Sequence, residues 1–298
     1  VPARRRARSL VLRRRGGRYY PSPGVDPHAG VDIRGAIGGQ IAIVESDTGR
    51  LLGGVGAGQA SASVHPGAVY LHQGETYVVD SLDFEDALAF VHAEDPGYST
   101  HARELTDIAV TGPGERVDLG DVTLGVVPVT VTNTVTGYLR RGMSGEVLDF
   151  VELELPSRSL PTVAAMYTIT PEALADNGIE PLRIPGSLHA AEHAAIGLLP
   201  LVASCDRGDI GGLSTAIGPD GLPTVFVYDG HPGGAGFAEQ GYRQARAWLG
   251  ATAAAIAACE CPRGCPSCVQ SPKCGNGNDP LDKAGAIAVL HAVMAALG

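Results

Sequence analysis

The sequence predicts an α+β protein: a β-rich, barrel-like domain followed by an α/β domain that closes on a cysteine knuckle. Three observations carry this. Short β-branched and alternating apolar runs fill residues 31–170. Ala-rich amphipathic runs dominate residues 171–298. Between the last two of those runs, five cysteines crowd a Pro- and Gly-rich stretch that suits neither helix nor strand.

In chain order, residues 1–30 form a basic hairpin and linker. LVLRRRGGRYY reads as two strands turning at Gly16-Gly17, and YYPSPGVDPHAG as the linker. Residues 31–170 form the β-rich accessory domain. Its strands are VDIRG, QIAIVES, AVYLHQG, TYVVDSL, DIAVTG, VTLGVVPVTVTNTV, EVLDFVELEL and AAMYTIT, with a hairpin turn at Asp47-Thr48-Gly49. Residues 83–93 (DFEDALAFVHA) carry helical spacing and predict a helix interrupting the sheet. Residues 171–298 form the α/β domain. Helices are expected over 187–203, 236–258 and 281–297, with TVFVYD (224–229) a buried strand. Asp279 is expected to cap the last helix, with Pro280 at its first position and Asp282 near its amino end.

Composition sets outer limits. A chain of 298 residues that is 44% hydrophobic can bury a large core. Its longest apolar runs fall short of a membrane span, so no membrane partner is expected. No secretory pattern opens it, and Val1 in place of an initiating Met reads as the start of an excised piece. A cytoplasmic setting is expected. The net charge of −10 argues against a nucleic-acid binder, but the charge is uneven. Eight of the 22 basic residues are arginines within residues 4–18, leaving 14 basic residues against 32 acidic ones, a net −18. Arg13, Arg14, Arg15 and Arg18 are candidates for contact with a phosphate backbone; a solvated surface is the plain alternative.

Cys259, Cys261, Cys265 and Cys268 stand in a C-x-C-x3-C-x2-C cluster, and Cys274 follows six residues later. Thiolates crowded on one loop suit a tetrahedral ion, zinc above others. Neighbouring cysteines this close are poor disulfide partners, and a redox pair needs only two. A closed four-sulfur shell leaves no position for water, so the ion is expected to be structural, pinning the helices on either side. The first four cysteines are favoured as ligands. Cys274 is the reserve, and spacing leaves open which four of the five bind. Cys205 stands apart and reads as packing.

Weaker motifs compete. SLHAAEH places His189, Glu192 and His193 in the order H-x-x-E-H, which on a helix puts both histidines on one face. A zinc hydrolase with Glu192 as base would use that spacing, but a polar stripe on a core helix would show it too. DGHPGGAGFAEQ is a glycine-rich turn opening a helix. It could hold an anion on free amides, or be a tight turn that packs Asp229 and His231 near the knuckle. It matches neither a dinucleotide site nor a P-loop. His65, Pro66 and His72 form a polar cluster that reads as packing.

CECPRGCPSCVQSPKCGNGNDPLDKAGAIAVL resembles the C-terminal zinc domain of the mitomycin repair factor A (MrfA-like) helicases, a branch of the DEAD/DEAH-box superfamily 2. TVFVYDGHPGGAGFAEQGY, VDIRG, VHPGAVYLHQGETYVVDSLDFEDALAFV and GYSTHARELTDIAV are similar to family blocks in the same order, over most of residues 31–298. The resemblance implies a parent ATP-dependent 3′-to-5′ DNA helicase or translocase acting in DNA repair, with a structural Zn2+ held by four cysteines matching Cys259, Cys261, Cys265 and Cys268. The ATP-binding loop, the DEAH-type motif and the arginine finger are absent from this sequence, so ATP and Mg2+ belong to motor domains in cis and this chain alone is not expected to be an enzyme. Its expected work is to contact single-stranded DNA and order the motor. The alternatives are the zinc hydrolase and a protein–protein docking module.

Overall fold

The computed structural model describes the backbone of Leu12–Arg15 and Arg18–Pro21 and all of residues 39–298. β1 (Leu12–Arg15) and β2 (Arg18–Pro21) pair antiparallel, as the sequence predicts. The linker and the VDIRG run lie outside the described residues.

A five-stranded sheet follows. It holds β3 (Gln40–Glu45), β4 (Leu51–Gly56), β5 (Val69–His72), β6 (Glu75–Asp83) and β7 (Leu88–Ala93) in the order β4-β3-β7-β6-β5. Helix α1 (Ala57–Ser63) covers it, burying Ala60 beside Ile41, Ile43, Tyr77, Val79, Ala89 and Val91. The helix expected over 83–93 is absent: that segment is a turn followed by β7. Asp83 Oδ1 accepts from the amides of Glu85 and Asp86 at 2.8 and 3.0 Å, and Ala87 adopts φ +56, which stops any helix there. Beyond the turn, Ala89 and Val91 alternate inward at 0% exposure, the strand period winning over the helical one.

The larger sheet has seven strands and curls into a half-barrel around β10 (Val122–Gly142). One edge of β10 pairs with β9 (Glu115–Asp118) and then β8 (Tyr98–Val110); the other pairs with β12 (Arg158–Ile169) and then β11 (Val147–Glu152). β14 (Thr224–Asp229) adds to β12, and β13 (Ile210–Thr215) closes the edge. The sheet thus takes strands from both sides of residue 170. β14 is buried along its whole length, as its apolar run predicts.

Helices cover the β12–β14–β13 end: α2 (Pro171–Asp176), α3 (Ile184–Leu198), α4 (Phe237–Arg243), α5 (Ala245–Ala258) and α6 (Lys283–Ala296). The expected 236–258 helix is two helices that break at Gln244 (φ −112°, ψ 27°). The last helix is capped by Asp282, not Asp279: the Asp282 carboxylate accepts from Gly285 N at 2.8 Å. α3 is buried nearly all round, because small Ala side chains let α5, α6 and β13 approach it closely. Trp248 of α5 is 2% exposed and donates from Nε1 to Ala195 O at 2.8 Å, tying α5 to α3.

Candidate metal centre

The loop between α5 and α6 folds into the predicted knuckle. Cys259 ends α5, Cys261 follows, and Cys265 and Cys268 flank one turn. Gly264 takes φ +116°, and a Cβ there would lie 2.5 Å from Val269 Cγ2, so only glycine fits. The sulfurs of Cys259 and Cys265 are 3.6 Å apart, those of Cys261 and Cys268 3.5 Å, and those of Cys265 and Cys268 3.8 Å. Zn–S bonds of about 2.3 Å at tetrahedral angles set sulfurs about 3.8 Å apart. A disulfide needs about 2.05 Å, and all six cysteines of the chain are free thiols. The Cys265 amide donates to Cys268 Sγ at 3.3 Å. Lys283 Nζ, at the first position of α6, donates to Cys261 O at 2.7 Å and also to Cys259 O. The knuckle therefore joins the end of α5 to the start of α6. The four residues fit one structural zinc ion, with no position left for water.

Cys274 does not join these four. Its sulfur lies 3.4 Å from His189 Nε2, and with His193 it makes a second group whose donor atoms all fall within 4.8 Å of one another. As the spacing predicts, His189 and His193 share a face of α3, their ring centroids 4.3 Å apart. His189 Nδ1 donates to Pro280 O and His193 Nδ1 to Val269 O, each at 2.9 Å. The Asn278 amide donates to Cys274 Sγ at 3.2 Å, and Asn278 (φ +65°) is pinned by two side-chain bonds to the Ser271 backbone. Burial opposes ionisation of Cys274, but hydrogen bonds from His189, His193 and the Asn278 amide outweigh it and bring the thiol down to about 5. Burial pushes Glu192 up, and the Ser214 hydroxyl and the two histidines only partly offset it. Local spacing could not offer Cys274 as a partner for His189, since 85 residues separate them.

Both groups border different spaces. The knuckle sits at the surface. His189, His193 and Cys274 line a cavity of about 590 Å³ together with Glu104, Arg207 and Lys273.

The glycine-rich turn is not a free anion site. Asp229 is fully buried, and its Oδ2 accepts from the amides of Ala235, Gly236 and Phe237 while Oδ1 accepts from Ala238 at 2.8 Å. The chain's own carboxylate fills the place an external anion would take. His231 pairs with Asp209 at 3.3 Å. His65 is buried against the Tyr138 ring, as packing predicts. Cys205 is packed at the core edge, its thiol pushed up by burial. The side chains of Arg13, Arg14, Arg15 and Arg18 lie outside the described residues. Among the described residues, no helix is long and apolar enough to cross a membrane.

Comparison with known proteins accounts for this architecture. The family described as the MrfA Zn-binding domain matches residues 191–269, which hold His193 and the four knuckle cysteines. The chain is 30% identical over 272 residues to the uncharacterized ATP-dependent helicase YprA of Bacillus subtilis, covering 87% of this chain and 35% of that protein. It is 23% identical over 287 residues to the ATP-dependent helicase HRQ1 of Saccharomyces cerevisiae, covering 90% of this chain and 26% of that protein. The chain thus spans about a third or less of these relatives. The crystal structure of the DUF1998 helicase MrfA bound to DNA superposes with a TM-score of 0.67 at 27% identity, over 98% of this chain and 39% of that one. The four-cysteine knuckle and these likenesses agree: the chain is an MrfA-like C-terminal region.

Proposed function

We propose that this chain is the accessory and zinc-binding region of an ATP-dependent 3′-to-5′ DNA helicase or translocase acting in DNA repair. It contacts single-stranded DNA and orders motor domains carried in cis, in a cytoplasmic, nucleoid-associated setting. The observation that carries the reading is the match along 98% of this chain to a helicase crystallised on DNA. The division into a hairpin and linker (1–30), an accessory domain (31–170) and a zinc-binding domain (171–298) belongs to the same proposal. Cys259, Cys261, Cys265 and Cys268 hold a structural Zn2+ that fixes α5 against α6. ATP and Mg2+ act in the motor.

Arg13, Arg14, Arg15 and Arg18 supply the phosphate contacts. They sit on the paired backbone of β1 and β2, and the rest of the chain is acidic. Such contact is independent of base sequence and sensitive to salt. Fluorescence anisotropy with a single-stranded oligonucleotide at a series of salt concentrations tests it. Replacing Arg13, Arg14 and Arg15 with Ala should weaken binding and flatten the slope of log K against log salt by about 2, at about 0.7 per lost contact. An unchanged affinity and slope removes the arginines from the proposal.

A further inference from the structure

We propose that His189, His193 and Cys274 form a second zinc site, separate from the four-cysteine knuckle, with its fourth coordination position facing the cavity. It stands independently of the DNA-binding reading.

Three features point to it. The first is distance. Zn–S of about 2.3 Å and Zn–N of about 2.0–2.1 Å at a tetrahedral angle place S and N about 3.6 Å apart; Cys274 Sγ and His189 Nε2 are 3.4 Å apart, and His193 supplies a third donor within 4.8 Å.

The second is the state of the imidazoles. A carbonyl oxygen only accepts, so the bonds to Pro280 O and Val269 O place the ring protons on Nδ1. With Nδ1 so occupied, Nε2 is the ring nitrogen of each histidine left to bind a metal, in place of any proton it carries. Metal-ligating histidines are held in this way by a backbone carbonyl behind the ring, which fixes both tautomer and orientation. Here two rings on adjacent turns of one helix are fixed independently, by residues 269 and 280 on either side of Cys274.

The third is the ligand count. The knuckle takes four sulfurs and closes, which leaves Cys274 outside it, yet its sulfur is directed by the Asn278 amide toward the histidines. Three protein donors leave one place of a tetrahedron. All three border the cavity that Glu104, Arg207 and Lys273 also line. Three ligands plus an open position is the pattern of zinc sites that exchange a water or a small anion. Imidazole and thiolate donors together favour zinc over magnesium, calcium or manganese.

The test is metal content of the purified chain, loaded with zinc, desalted and assayed by mass spectrometry. The wild type should hold two zinc ions. Cys274→Ser and His189→Gln should each hold one, a twofold drop, with the far-UV circular dichroism of the wild type retained. One zinc in the wild type, or two in both variants, overturns the proposal. Should either variant fail to fold, cobalt titration of the wild type decides. Thiolate-to-cobalt absorbance should rise in two steps, one with four sulfurs per metal and one with a single sulfur; a single step of one equivalent overturns the site.

Discussion

The knuckle and the histidine group lie in the same domain, each with sulfur donors, and differ in what holds them in place. The four knuckle cysteines hang on a ten-residue loop and are partly buried, with Cys268 packed at the edge of the main core. Lys283, Gln270, the buried Val269 and a few turn bonds organise that loop. His189 and His193 are instead fixed by α3, whose neighbours Leu188, Ala190, Ala191, Ala194 and Ala195 are all buried in the main core. The knuckle is expected to depend on a bound ion for its shape. The histidine face has its shape already, from burial of α3 against α5, α6 and β13. On the proposals above, an ion would be a folding element at the first place and a guest at the second.

Removing knuckle ligands should have the largest effect. Cys265→Ser with Cys268→Ser should abolish the knuckle zinc and cost on the order of 10 kcal/mol of metal-coupled folding energy. Loss of helical signal from α5 and α6 in circular dichroism, reproduced in the wild type by a strong chelator, checks it. A double variant that stays fully helical would erase the contrast between the two places.

Trp248→Ala comes next. It opens a cavity under α3 and removes the bond to Ala195 O, for a loss of about 3–5 kcal/mol in urea denaturation. Knuckle zinc should be retained under native conditions, since Trp248 does not touch the cysteine loop's ligands. If Trp248→Ala also empties the knuckle, the two places share one support.

Gly212→Ala sharpens the contrast at the smallest scale. A Cβ at Gly212 would stand 2.7 Å from both Glu192 Oε1 and Ile196 Cδ1, on the cavity side of α3. Overpacking there should cost about 1–3 kcal/mol. The knuckle should keep its zinc, and only the histidine group should feel the change, read as altered His189 and His193 imidazole signals in NMR spectra.

The same contrast explains what could be read from the chain. The knuckle is local: its four sulfurs lie within ten residues, so spacing alone assembles them. The longer strands of the half-barrel and the buried TVFVYD strand were likewise legible, because period-two patterning and β-branched runs report burial directly, whereas the short β9 and the Gly-rich β13 were not among the expected strands. The pair His189 and His193 was visible as helical spacing. Their third neighbour was not, since Cys274 arrives from the far end of a loop closed by Asn278 and by the start of α6. DFEDALAFVHA misled for a physical reason: its apolar positions fit either period, and the turn at Asp83–Ala87, set by side-chain bonds and one left-handed residue, decides between them. The glycine-rich turn misled differently. Its free amides were rightly inferred, but their acceptor, Asp229, is six to nine residues earlier in the same chain.

The 21-residue strand β10 bears on how the region answers to load. Because its two edges are ladder-bonded to four partners, slipping it by one position would turn Val127, Val129 and Val131 from the interior to the opposite face. No gradual sliding is therefore available to it. A pull applied near Gly142 is borne in shear by many bonds at once and reaches Val122 without slack. The half-barrel behaves as a stiff strut, and bending between the smaller sheet and the helical end is left to connections such as residues 94–97, outside the strands.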